Sequence, residues 1–151
     1  MGIARDEHPA ARIFCSLEGS WSLKRTISNF GKIDGTATFT NCTHDSGVLR
    51  YREEGVLFSD NGQTHVLFRE YYYQLSGQQI VVFFDQPRAH LFHTLSFATS
   101  VPITATASHV CKQDRYDAAY SFVLPLKWSL AYTVSGPEKN YAIKTAFQRM
   151  T

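Results

Sequence analysis

The stretch "KWSLAYTV", Lys127 to Val134, places Trp128, Leu130, Tyr132 and Val134 on one side of an extended chain and Lys127, Ser129, Ala131 and Thr133 on the other. Strict alternation with a period of two marks a strand with one dry face and one wet face. The same pattern returns near the start of the chain in "LEGSWSLKRTI", Leu17 to Ile27. There Trp21, Leu23, Arg25 and Ile27 oppose Ser22, Lys24 and Thr26.

Working outward, further strands are predicted at "GTATFT" (from 35), "VLRYREEG" (from 48), "THVLFREYYY" (from 64) and "QQIVVFFD" (from 78). Others follow at "RAHLFHTLSF" (from 88), "TATASHVC" (from 104), "YDAAYSFV" (from 116) and "NYAIKTAFQR" (from 140). About ten short strands at even spacing suit a sandwich or an up-and-down barrel. The joints carry hairpin chemistry, with Asn61-Gly62 in "SDNGQ" the strongest signal and glycines in "HDSG", "LSGQ" and "SGPEK". One helix is expected, around "HPAARIFCSL", with Pro9 in the first turn and Ala10, Ala11, Ile13, Phe14 and Leu17 at helical spacing, placed to cap one end of a barrel. A late arginine, Arg149, suits a guanidinium stacked on the Trp21 indole, which brings the two ends of the chain together and closes a barrel. The expected fold is therefore all-β, a single antiparallel up-and-down β-barrel of about ten strands with a short N-terminal helix, spanning residues 1–151 as one domain.

Bulk properties narrow the function. With 151 residues and 44% hydrophobic residues, one core is affordable. The 15 basic and 13 acidic residues are interspersed, so no basic stripe for nucleic acid or membrane surface is expected. Cys15, Cys42 and Cys111 form an odd set without C-x-x-C spacing, which argues against a disulfide framework and a structural zinc site and for a reducing compartment. The start of the chain lacks the apolar run of a signal peptide, no run reaches membrane-spanning length, and Asp6 stands where a myristoylation signal needs a hydroxyl residue. The expected location is the cytoplasm, and Asn41-Cys42-Thr43 reads as a chance sequon.

Parity along each strand exposes the polar residues that share the dry face: Arg25; Glu53 beside Leu49 and Tyr51; His93 beside Leu91, Leu95 and Phe97; His109 and Cys111 beside Ala105 and Ala107; Tyr116 and Tyr120; Tyr132; Tyr141 beside Ile143 and Phe147. A buried charge must be paired or wet, and Arg25 with Glu53 is the natural ion pair. His93, His109, Glu53 and Arg25 are the candidate acid–base groups. Tyr51, Arg69, Tyr71, Tyr116, Tyr120, Tyr132 and Lys139 are the candidate ligand contacts, and Lys139 beyond the Gly136-Pro137 turn could attract an anionic ligand. His109 and Cys111 lack a second close ligand pair, so no metal and no cofactor are expected.

The blocks "LEGSWSLKRTI", "YREEG", "FREYYY", "FHTLSF", "SHVCKQDRY" and "VSGPEKNYAIKTAFQR" together resemble a bacterial and fungal family of unknown function with a lipocalin-like (calycin) fold. The resemblance implies that barrel, its Gly19-x-Trp21 and Arg149 closure, and importance for Arg25, Glu53, Arg69, His93, His109, Cys111, Asp114, Tyr116, Lys139, Tyr141 and Arg149. The block "FREYYY" departs from the pattern, with Tyr73 where the family has tryptophan. The resulting expectation is a barrel that binds a small, mainly apolar or aromatic molecule. Two others stand beside it: a cofactor-independent isomerase or cyclase acting on a polyketide- or terpenoid-like substrate, and a filled scaffold that uses its outer face, for instance in a homodimer.

Overall fold

The computed structural model describes residues 8–42 and 47–151. Asp6 and most of the "HDSG" joint fall outside them. One helix, α1 (Pro9–Leu17), precedes ten strands: β1 (Gly19–Ile27), β2 (Gly31–Asn41), β3 (Val48–Ser59), β4 (Thr64–Ser76), β5 (Gln79–Phe83), β6 (Leu91–Phe97), β7 (Ile103–Cys111), β8 (Asp114–Val123), β9 (Lys127–Ser135) and β10 (Asn140–Arg149). Each strand pairs antiparallel with its neighbours in sequence, and β1 pairs with β10, so the sheet closes into an up-and-down barrel. Closure leaves no full-length sheet edge exposed. No helix among the described residues is long and apolar enough to cross a membrane.

Helix α1 starts where expected, because His8 caps it by accepting a hydrogen bond from the Ala10 N–H at 3.1 Å and Pro9 occupies its first turn. Its buried face, Ala10, Ile13, Phe14 and Leu17, joins the barrel core. The Trp21 indole N–H donates to the Leu17 carbonyl at 2.9 Å, and the Arg149 guanidinium lies 4.1 Å from the Trp21 ring centroid. That guanidinium also donates to the carbonyls of Ser16, Glu18 and Pro125. These include carbonyls at the end of α1, which a helix leaves without internal partners. Arg149 thus clamps the helix to the seam between first and last strands, and one end of the barrel is shut.

Two strand limits differ from the sequence reading by four residues. β2 begins at Gly31 rather than Gly35, and β3 continues past Gly55 to Ser59. Gly35 and Gly55 face each other across the ladder, and a Cβ on Gly35 would lie 2.2 Å from the Glu54 carbonyl oxygen and 2.7 Å from Gly55 Cα. Glycines that resemble strand ends here permit close approach of two backbones within continuous strands.

The face assignment also needs correction at Cys111, which alternation puts on the dry face beside His109 but which is exposed at the end of β7, and along β6. Pairing between β5 and β6 shifts between Val82 and Phe83, so Val82 opposes His93 while Phe83 opposes Leu91. Leu91 is therefore 52% exposed instead of sharing the interior with His93, and Phe92 turns inward in its place. Such an irregularity inserts one residue into the alternation and re-aims its side chains.

Candidate functional site

The interior between the capped end and the open end is built mainly of rings. A cavity of about 50 Å³ is walled by Tyr51, Tyr71, Tyr73, Phe92, Tyr120, Trp128, Tyr132 and Phe147, with Val82, Leu130 and Ile143. Arg25, Glu53 and Arg69 are its charged members. Trp128 and Phe147 stack at 3.7 Å between centroids, and Tyr51 and Tyr71 stack at 5.9 Å. A volume of this size admits water, which needs roughly 10–15 Å³, but falls short of the roughly 300 Å³ at which pockets for drug-sized ligands begin. The rings occupy the space that a hollow barrel would leave. A second, open groove of about 550 Å³ lies at the barrel mouth, and Arg69 and Ile143 border both spaces.

The predicted ion pair forms at the centre. Arg25 donates two hydrogen bonds to Glu53, Nη1 to Oε2 at 2.6 Å and Nη2 to Oε1 at 2.9 Å. Its Nε donates to Thr145 Oγ1 at 2.8 Å, and the Tyr51 hydroxyl donates to Glu53 Oε1 at 2.6 Å. Burial pushes the Glu53 carboxyl up, yet the bonds and charge of Arg25 outweigh it and hold the group below the usual carboxylate range. Both carboxylate oxygens are engaged, so Glu53 is held as an anion with little freedom to take a proton. Thr145 shares parity with Ile143 and Phe147, but an uncharged hydroxyl among apolar neighbours gives no sequence signal of its contact with Arg25.

His93 is 2% exposed, and its Nε2 lies 2.8 Å from the Tyr120 hydroxyl. Phe92 stacks on it with centroids 4.1 Å apart. Burial, assisted by the nearby His109, lowers its pKa to about 4, so the imidazole is neutral at pH 7. Its Nδ1 and the Trp128 Nε1 are the buried side-chain polar atoms without a hydrogen-bond partner among the described residues. Burial raises the phenols of Tyr51, Tyr73, Tyr120 and Tyr132, which remain protonated.

The structure gathers Arg25, Tyr51, Glu53, Arg69, Tyr71, Tyr120 and Tyr132 around one cavity, and the other candidates do not line it. His93 does not line the cavity, although Phe92 and Tyr120, which do, pack on it. His109 packs edge-on against Phe84 and Phe92 and beside Tyr116, towards the mouth. Lys139 reaches Asp114 at 3.1 Å and the Tyr116 hydroxyl at 3.3 Å, a rim contact that ties both residues away from the interior. Tyr73, Phe92, Trp128 and Leu130 complete the wall. Tyr73 and Leu130 follow from simple alternation, whereas Phe92 depends on the irregularity in the ladder. Among the described residues no three His, Cys, Asp or Glu side chains form a group that could hold a metal.

A capped, closed, ten-stranded antiparallel barrel of this kind is lipocalin-like. Residues 17–149 match a family of unknown function, DUF6314, and the chain belongs to that family. No curated protein sequence matches the chain. Among solved structures, it is similar to the S-type phycobiliprotein lyase CPES from Guillardia theta, with 11% identity, a TM-score of 0.65 and coverage of 93% of this chain and 92% of that one. It is also similar to Rv2717c from M. tuberculosis, with 14% identity, a TM-score of 0.64 and coverage of 97% and 100%. A redesigned β-barrel, mFAP1, bound to DFHBI, aligns with 11% identity, a TM-score of 0.51 and coverage of 91% and 99%. At these identities the likeness establishes the fold.

Proposed function

We propose that this protein binds a small, mainly apolar or aromatic molecule at the open end of the barrel, between the mouth groove and the ring-lined interior. The observation that carries the reading is the cavity wall, in which eight aromatic side chains surround one cavity that shares Arg69 and Ile143 with the mouth groove. Flat rings stack favourably on such a wall, each aromatic pair contributing about 0.5–1.5 kcal/mol beyond the area it buries. The unpartnered Trp128 N–H supports a ligand with a hydrogen-bond acceptor.

The resting cavity requires side chains to yield. Tyr71 and Phe92 are half-buried and stack on each other at 5.4 Å. Beside them the ladder between β6 and β7 contains two residue pairs, Ser96 with Thr106 and Phe97 with Ala105, so the wall towards the mouth is weakly bonded. Segments with few backbone bonds open at low cost. Binding by displacement of Phe92 and Tyr71 follows from this construction. Barrel neighbours agree in kind, one being bound to DFHBI and another being a phycobiliprotein lyase.

Catalysis by an isomerase or cyclase has less support. Glu53 is saturated by Arg25 and Tyr51, and the His93 Nε2 is engaged by the Tyr120 hydroxyl. The test is native mass spectrometry of the purified protein for a co-purifying small mass, followed by titration of tryptophan fluorescence with the compound found. Trp128 lines the cavity while Trp21 sits at the capped end. A response that survives Trp21→Phe and vanishes in Trp128→Phe supports the reading; the converse overturns it.

A further inference from the structure

We infer that the molecule this barrel binds carries an anionic oxygen group, a carboxylate or a sulfonate or phosphate of similar reach, and that Arg69 receives it at the mouth. The inference rests on the ligand-binding reading above and adds the chemical class.

Charge bookkeeping around the cavity leaves one cation over. Arg25, Arg69 and Glu53 are its charged members, and Arg69 stands directly opposite Glu53 in the β3–β4 ladder. That carboxylate is already spent on Arg25 and Tyr51. The hydrogen bond Arg69 makes is a long one to the Tyr71 hydroxyl, 3.4 Å, and no carboxylate among the described residues pairs with it. Lys139, the cation that the sequence placed at the mouth, is neutralised by Asp114. Glu138 shares the groove with Arg69 without forming an ion pair.

Arg69 borders both the interior cavity and the mouth groove. A guanidinium offers a planar fork of donors that matches a carboxylate or a similar oxyanion. Arg69 is itself exposed at the mouth, where an incoming anion can reach it without passing the ring-lined wall. The ligand so described is an amphiphile: a flat apolar body directed towards Tyr71, Phe92 and Ile143, and an anionic head held by Arg69.

Two dyes with nearly the same body test this, 1-anilinonaphthalene-8-sulfonate and its uncharged counterpart N-phenyl-1-naphthylamine. Each is titrated by fluorescence into the wild type, Arg69→Gln and Arg69→Lys, with thermal melts confirming that the variants fold. The expected result is tighter binding of the sulfonate by the wild type and a loss of about three- to tenfold in Arg69→Gln, the scale of one exposed charge-assisted contact. Arg69→Lys recovers part of that affinity, and the neutral dye is indifferent to both changes. If Arg69→Gln leaves the sulfonate unaffected, or weakens both dyes equally, the anionic head is refuted while the pocket stands. If neither dye binds the wild type, the ligand-binding reading itself fails.

Discussion

Acidification provides a direct test of the interior, because His93 is neutral inside the fold and free to protonate outside it. Its pKa is about 4 in the folded protein, from burial first and His109 second. An unfolded histidine titrates near 6.5, so the difference is about 2.5 units, or about 3.4 kcal/mol at 1.36 kcal/mol per unit. The sign follows from which state binds the proton. Below about pH 6.5 the unfolded chain takes it up and the folded chain does not, so stability falls until the folded pKa is reached near 4. About 2.5 kcal/mol of that loss has accrued by pH 4.5 by the same linkage. With His93 only 2% exposed, solvent screening does little to reduce the figure.

The assay is urea denaturation of the wild type and His93→Gln at intervals from about pH 7 to pH 4.5. Glutamine does not titrate and retains a polar partner for the Tyr120 hydroxyl. Other titrating groups are common to both proteins, so the difference between their stabilities isolates His93. That difference is expected to shift by about 2–3 kcal/mol across the range in favour of His93→Gln at the acid end, corresponding to roughly 5–10 °C in Tm for a chain of this size. A difference that stays constant with pH would refute the buried neutral imidazole and the packing of Phe92 over it.

Other perturbations address the remaining parts of the molecule. Arg25→Met leaves the Glu53 carboxylate buried without its cation and should cost about 3–5 kcal/mol in chemical denaturation, whereas Arg25→Met combined with Glu53→Leu should recover much of that loss. Because the folded Glu53 pKa lies below its unfolded value, its contribution is complete above about pH 4.3 and is lost as the pH falls through the folded value; Glu53→Gln lacks this acid-side loss in a pH series of thermal melts. Gly35→Ala pushes a methyl group into main-chain atoms of Glu54 and Gly55 that cannot swing aside, and a loss of about 2–4 kcal/mol or failure to fold is expected, read by urea midpoint and soluble yield. Arg149→Ala removes the stack on Trp21 and three bonds to carbonyls and should cost about 2 kcal/mol, with Arg149→Lys restoring little because an ammonium lacks the planar fork.

What the sequence determined by itself was the alternation and its direction. Side chains two residues apart lie on one face of any strand, so the inward placement of Trp21, Arg25, Glu53, Tyr120 and Tyr132 was readable without tertiary information. The helix was equally local, since Pro9 and the spacing of Ala10, Ile13, Phe14 and Leu17 specify its start and its dry face. Pairing of Arg25 with Glu53, and of Arg149 with Trp21, followed because each charge on a dry face had a natural partner within the same set.

Tertiary structure alone decided the quantities that depend on register and packing. Only the closed sheet could show that Gly35 meets Gly55 and that a shift between β5 and β6 sends Leu91 outward and Phe92 inward. Only three-dimensional filling could show that the rings leave a cavity of about 50 Å³. The allocation of partners at the mouth is similarly non-local: Asp114, on β8, neutralises Lys139 beside β10, while Arg69 on β4 is left with a phenol. Alternation assigns a side chain to a face, but the length of an ion pair and the volume of a void depend on how distant strands are staggered around the barrel.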